Sequence, residues 1–145
     1  MHIIVQALKY TLVLLVIMIV AGFGYQWFAA EADRESYPPP GELYSVDGLN
    51  IHLDCRGQGV PTVLLEAGLT FGSTSWGVVH DAIAQKTRVC AYDRPGLDWS
   101  EQARIPLSAD RVAERLHKLI QLANLDGPFI LLGMSAGGVF VREYY

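Results

Sequence analysis

The sequence is short of charge, of cysteine and of basic clusters. Charged residues make up 18% of its 145, and 11 Lys+Arg against 15 Asp+Glu leave a formal net charge of −4. A nucleic-acid-binding surface needs a basic stripe, so no nucleic-acid partner is expected. With 2 Cys and 4 His there is no H-E-x-x-H and no paired ligand spacing, which leaves no metal site to expect. The glycines at Gly57, Gly59, Gly68 and Gly72 fit neither G-x-G-x-x-G nor G-x-x-x-x-G-K, so a phosphate-cradling loop is excluded and no cofactor is implied. Repeats and low-complexity tracts are absent as well. What the chain has instead is apolar residues, 51% of the total, which takes it out of the disordered class.

The shortage of charge is most severe at the front. Lys9 is the only Lys, Arg, Asp or Glu in the first 30 residues. Thr11 to Gly24, TLVLLVIMIVAGFG, continues through Tyr25–Ala30 to reach the roughly 20 residues that a helix needs to cross a bilayer. Tyr10 and Trp27-Phe28 stand where aromatic rings favour the headgroup level. Lys9 on one side and Glu31, Asp33 and Glu35 on the other orient the segment with its N-terminus in the cytoplasm, which puts the remainder outside. A secretory signal peptide is the competing reading, since Ala30-Glu31-Ala32 imitates a small-x-small cleavage site, and the protein would then be secreted. The run is long for such a peptide, and Gln26-Trp27-Phe28 is bulky where a peptidase needs small residues. A buried core helix fits poorly because the run is apolar on every face.

Residues 31–42 are charged and proline-rich, with Pro38-Pro39-Pro40, and read as a stiff extended linker. Residues 43–145 then carry the pattern of one domain. Leu43–Asp47 and Asn50–Arg56 flank an Asp47-Gly48 turn, the signature of an antiparallel hairpin. Thr62–Glu66 (TVLLE), Arg88–Tyr92 (RVCAY) and Phe129–Gly133 (FILLG) are short apolar runs of the kind that strands buried on both faces show. Between them lie two helices. One is capped by Ser75, carries Trp76, Val79 and Ile83 on its apolar face, and runs to about Lys86. The other starts at Pro106-Leu107-Ser108 and carries Val112, Leu116, Leu119, Ile120 and Ala123. A further helix is expected within Ala136–Tyr145. Strand and helix alternate from Thr62 onward, which implies a parallel sheet covered by helices.

Gly133-Met134-Ser135-Ala136-Gly137 follows the last apolar strand and precedes a helix. In that setting a serine sits in a strained turn with its Oγ exposed. The flanking glycines are needed because a Cβ at either would collide with neighbouring backbone, and the Ala136 N–H at the helix start would face a developing oxyanion. The sequence here resembles the α/β-hydrolase superfamily. GQGVPTVLLEAGLTFGSTSW, RVCAYDRPGLDWS and FILLGMSAGG occur in that family's order over most of Leu43–Tyr145. The resemblance implies the N-terminal part of an α/β-hydrolase sheet, with Ser135 as nucleophile, Gly133 and Gly137 as elbow glycines, and the backbone N–H groups of Ala136 and Leu69 as the oxyanion hole. A serine there points away from haloalkane dehalogenases and epoxide hydrolases, toward acyl transfer on a small-molecule ester, thioester, lactone or amide.

The chain departs from the family at several positions. Ala67-Gly68 stands where His-Gly is frequent, Met134 where histidine commonly precedes the nucleophile, and Asp98 where the loop usually has a second glycine. The fold's triad runs Ser, acid, His along the chain, and neither partner follows Ser135 by position 145. The expectation is therefore a fragment whose acid and histidine lie further on, the 145 residues alone being nearly inactive. A non-catalytic remnant or binding protein is the alternative. His52, His80 and His117 lie where the family has no catalytic group, and each reads as a surface or packing histidine. Cys55 and Cys90 fall on adjacent strands in the family's sheet order; a disulfide and two buried thiols both remain open. Trp76 reads as core, and Trp99 as either core or pocket wall.

Overall fold

A computed structural model describes residues 2–104 and 107–144, which divide into two units, the boundary falling between Pro38 and Pro39 in the sequence. The first unit is one helix, α1, His2–Ser36. Its side chains are exposed along nearly the whole length, and His2–Asp33 is long and apolar enough to cross a membrane. Where the sequence predicts an extended linker from residue 31, the helix continues to Ser36. Glu31, Ala32 and Glu35 are strong helix formers, and the chain stops being helical only as the prolines approach.

The second unit is built on a five-stranded sheet in the order β1-β2-β4-β3-β5. β1 (Glu42–Val46) and β2 (Leu49–Arg56) are the expected hairpin. Its turn residues Asp47 and Gly48 both take positive φ (52° and 77°), as a tight hairpin turn requires. β2 pairs antiparallel with β4 (Val89–Tyr92). β4, β3 (Thr62–Glu66) and β5 (Phe129–Gly133) are parallel. All of β3 and β4 is buried, but β5 is an edge strand and alternates, with Ile130 and Leu132 exposed. FILLG thus reads as doubly buried in sequence, although one face is open here.

The alternation along the strands fills two cores. Leu64, Cys90 and Tyr92 join Ile51 and Leu53 under α3 (Ala109–Leu122), which presents Leu116, Leu119 and Ile120. Val63, Leu65, Val89 and Ala91 pack on the other face with Trp76. Trp76 ends a short 3₁₀ turn, Ser73–Trp76, that leads into α2, Gly77–Ala84. Ser75 does not cap this helix, because its hydroxyl donates to Gly72 O at 2.7 Å. The buried face of α2 carries His80, while Val79, predicted to face inward, is exposed. The stretch up to Ala84 is also shorter than the predicted run to Lys86. Pro106 and Tyr145, expected at the start of one helix and the end of another, lie outside the described residues.

The cysteines left open above are bonded: Cys55 and Cys90 face each other in the β2–β4 register and form a disulfide. Burying a carboxylate requires partners, and the sheet supplies them. Asp54 accepts from Arg56 Nε at 2.9 Å, and Arg56 also reaches Asp81 on α2 at 2.6 Å.

Candidate active site

Three parallel strands deliver three turns to one edge of the sheet, the carboxyl ends, where open α/β sheets bind their ligands. β3 ends in Ala67-Gly68, β4 in Asp93-Arg94, and β5 in Met134-Ser135. Ser135 has φ +54°, a left-handed conformation that costs a non-glycine residue about 1–2 kcal/mol. The conformation is held from both sides. The Met134 N–H donates to Glu66 O at 3.0 Å, and Gly137 N–H donates to Met134 O at 2.9 Å as α4 (Gly137–Tyr144) begins. Ser135 itself is exposed.

The glycines flanking this serine are where they must be. A Cβ on Gly133 would stand 2.6 Å from backbone atoms of Gly137 and Gly138, and one on Gly137 would stand 2.3 Å from Glu66 O. Only glycine lets α4 lie this close to β3 and β5. Gly68 closes on the serine from the other side: a Cβ there would be 3.6 Å from Ser135 Cβ. Ala136 and Leu69, the other two predicted residues, therefore follow directly on backbone that meets at Ser135.

Two peptide planes carry the relevant N–H groups, and both are fixed through their carbonyls. Ser135 O accepts from Gly138 N–H at 3.0 Å, which orients the Ala136 N–H. Gly68 O accepts from Phe71 N–H at 3.1 Å and from Arg94 Nη2, which orients the Leu69 N–H. In a trans peptide the N–H points opposite to its C=O. The Leu69 N–H therefore points away from Arg94.

Sequence reasoning missed the polar layer beneath these turns. Glu66, 2% exposed, accepts from the Tyr92 hydroxyl and from Arg94 Nη1. Burial raises the Glu66 carboxyl above its ordinary range, against the opposing pull of Tyr92 and Arg94, and burial raises the Tyr92 hydroxyl as well. The Arg94 guanidinium also donates to the carbonyls of Ala67 (2.8 Å), Gly68, Leu69 (3.0 Å) and Phe71 (3.4 Å), and lies 5.0 Å over the Phe140 ring of α4. The available signal was a charge closing each of two apolar runs, TVLLE and RVCAYDR. Strands buried on both faces tolerate such charges only as a pair.

Asp93 anchors the far end of the same loop. Its carboxylate accepts from Ser73 N–H at 2.5 Å, from Trp99 N–H at 3.3 Å and from His52 Nδ1 at 2.7 Å. His52 is fully buried, tilted 5.0 Å from Trp99. His80 is buried on α2 with Nε2 3.3 Å from Val89 O, and His117 is exposed beside the Tyr144 hydroxyl. The packing or surface reading of each histidine agrees with these positions. Asp98 adopts φ +39° in place of the usual glycine, and its carboxylate accepts from Thr74 N–H (3.1 Å) and Oγ1 (2.7 Å). The loop keeps its turn and gains a tether. No group of three or more His, Cys, Asp or Glu side chains that would hold a metal ion occurs among the described residues.

Residues 61–145 match the family model described as alpha/beta hydrolase fold. A curated relative, a Bacillus subtilis protein of uncharacterised function, is 30% identical over 99 residues, covering 68% of this chain and 39% of its own length. An esterase from Exiguobacterium antarcticum superposes with a TM-score of 0.66 at 22% identity, over 72% of this chain and 39% of that one, a likeness of fold alone. An epoxide hydrolase solved without ligand superposes with a TM-score of 0.65 at 25% identity, over 71% and 36%. The chain spans less than half the length of these relatives.

Proposed function

The chain belongs to the alpha/beta hydrolase family, and from that premise we propose that it is the front part of a membrane-anchored serine hydrolase in which Ser135 is the nucleophile. The observation that carries this reading is the meeting of Ser135, at φ +54°, with the Gly68 turn, each bearing an N–H group whose peptide plane is fixed. Ser135 Oγ attacks the carbonyl carbon of an ester, thioester or amide and gives its proton to a base. The oxyanion so formed is held by the Ala136 and Leu69 N–H groups until the leaving group departs with a proton. Water then cleaves the acyl-enzyme and regenerates Ser135. The base and its orienting acid belong to the part of the protein that follows residue 145, in keeping with the longer relatives. The epoxide-hydrolase likeness does not alter this assignment, since the resemblance associates that chemistry with an aspartate at the position of Ser135.

Anchoring rests on α1, with Lys9 on the cytoplasmic side and the catalytic domain outside. The Cys55–Cys90 disulfide supports that placement, because disulfides persist in oxidising compartments. The reading is tested by turnover of short p-nitrophenyl esters by the natural-length protein. Activity that disappears in Ser135→Ala supports it; a folded protein with no Ser135-dependent turnover points to a non-catalytic binding protein instead.

A further inference from the structure

We propose that Arg94 is the positioning residue of the oxyanion turn, locking the Gly68–Leu69 peptide so that its N–H, not its carbonyl, faces an acyl group on Ser135. This rests on the hydrolase reading above. Gly68 makes such a lock necessary. Glycine passes easily between backbone conformations, and a flip of the peptide that follows it would replace the donor with a carbonyl oxygen that repels an oxyanion. Phe71 N–H holds Gly68 O at 3.1 Å, but it lies in the same loop and would move with it. Arg94 is external to the loop, at the end of β4, and is 3% exposed.

The guanidinium has the right shape for this role. Its planar fork offers donors in several directions at once. Nη1 is held by Glu66 and donates to Ala67 O, while Nη2 donates to Gly68 O, Leu69 O and Phe71 O. One side chain thereby collects four carbonyls of a single turn, with Phe140 of the elbow helix stacked on it at 5.0 Å. The two halves of the oxyanion site are thus referenced to the same rigid group. A lysine would balance the Glu66 charge but cannot span the carbonyls of Ala67 through Phe71.

The test compares Arg94→Lys, Glu66→Gln and the double variant Glu66→Gln/Arg94→Met in the natural-length protein, with kcat and KM read separately on a p-nitrophenyl ester. The double variant leaves no unpaired buried charge, and Arg94→Lys keeps the ion pair, so at least one reports on a folded protein. Loss of one oxyanion donor costs about 10²–10³-fold in kcat. The expected result is a fall approaching that size in the double variant and about tenfold or more in Arg94→Lys. KM should stay within about threefold, because the donor acts on the transition state. Glu66→Gln alone strands the buried Arg94 charge and so serves as the control for loss of the ion pair: it should lower stability, while the folded protein keeps a kcat well above that of the double variant because Arg94 still meets its carbonyl acceptors. A folded Arg94→Lys or double variant with wild-type kcat overturns the proposal while leaving the hydrolase reading intact. A wild-type protein without Ser135-dependent turnover overturns both.

Discussion

Gly137→Ala and Gly138→Ala are neighbouring substitutions, identical in chemistry, for which the structure requires opposite outcomes. A Cβ on Gly137 would stand 2.3 Å from Glu66 O and 2.7 Å from Ala67 O, both backbone atoms that cannot rotate aside. Restoring ordinary contact means moving the start of α4 away from β3 by about 1 Å, and overpacking of this kind costs about 1–3 kcal/mol. Alanine recovers up to about 1 kcal/mol of helix propensity over glycine, so with full recovery the net destabilisation is about 0–2 kcal/mol. The same displacement moves Ser135 relative to the Gly68 turn, and misplacement by about 1 Å costs about 10²-fold in rate. A Cβ on Gly138 meets nothing within 4 Å, which leaves only the helical gain. Denaturant unfolding followed by tryptophan fluorescence gives the stabilities, and the pseudo-first-order rate of fluorophosphonate inactivation gives the reactivity of Ser135. Gly137→Ala with wild-type stability and rate, or Gly138→Ala losing as much as Gly137→Ala, would refute the packing argument.

Three further outcomes are expected. Ser135→Gly should be more stable than Ser135→Ala by up to about 1 kcal/mol: relief of the left-handed strain, about 1–2 kcal/mol, is partly offset by the greater freedom of glycine in the unfolded chain. Thiol alkylation of the native protein, read by mass on the peptides carrying Cys55 and Cys90, should leave both unlabelled until reduction and label each after it; replacing both cysteines by alanine should cost about 2–4 kcal/mol in unfolding experiments. Burial lowers the His80 imidazole below its ordinary 6.5, so the unfolded state takes up that proton first as pH falls. Stability should therefore decline below pH 6.5 by a share that His80→Gln removes, and an unchanged acid limb in that variant would exclude this cause.

The parts of the fold that were legible in sequence are those set by local chemistry. Asp47-Gly48 announced its turn because both residues need positive φ, and the elbow was readable because Gly133 and Gly137 admit no Cβ. Asp98 kept the loop that a glycine usually closes, as expected of a side chain that tolerates left-handed backbone. Periodicity failed where a polar residue took a core position: His80, and not Val79, fills the inner face of α2. At β5 the apolar run cannot show which face is packed over: Ile130 and Leu132 share the face of Val63 and Leu65 and are exposed among the described residues. The polar layer of Glu66, Tyr92 and Arg94 was invisible for a different reason. Its members lie 26 and 28 residues from Glu66 in sequence and are joined only by the parallel pairing of β3 with β4.

Protease added to intact cells or spheroplasts should remove the domain that follows α1, and full protection would exclude the proposed orientation. The central claim, an activated Ser135, is tested most directly by fluorophosphonate labelling of native membranes resolved by gel, with a Ser135→Ala strain as control. The expected result is one Ser135-dependent band well above the 16.0 kDa of these residues. No such band at any size, with the protein shown to be present by antibody, would contradict it.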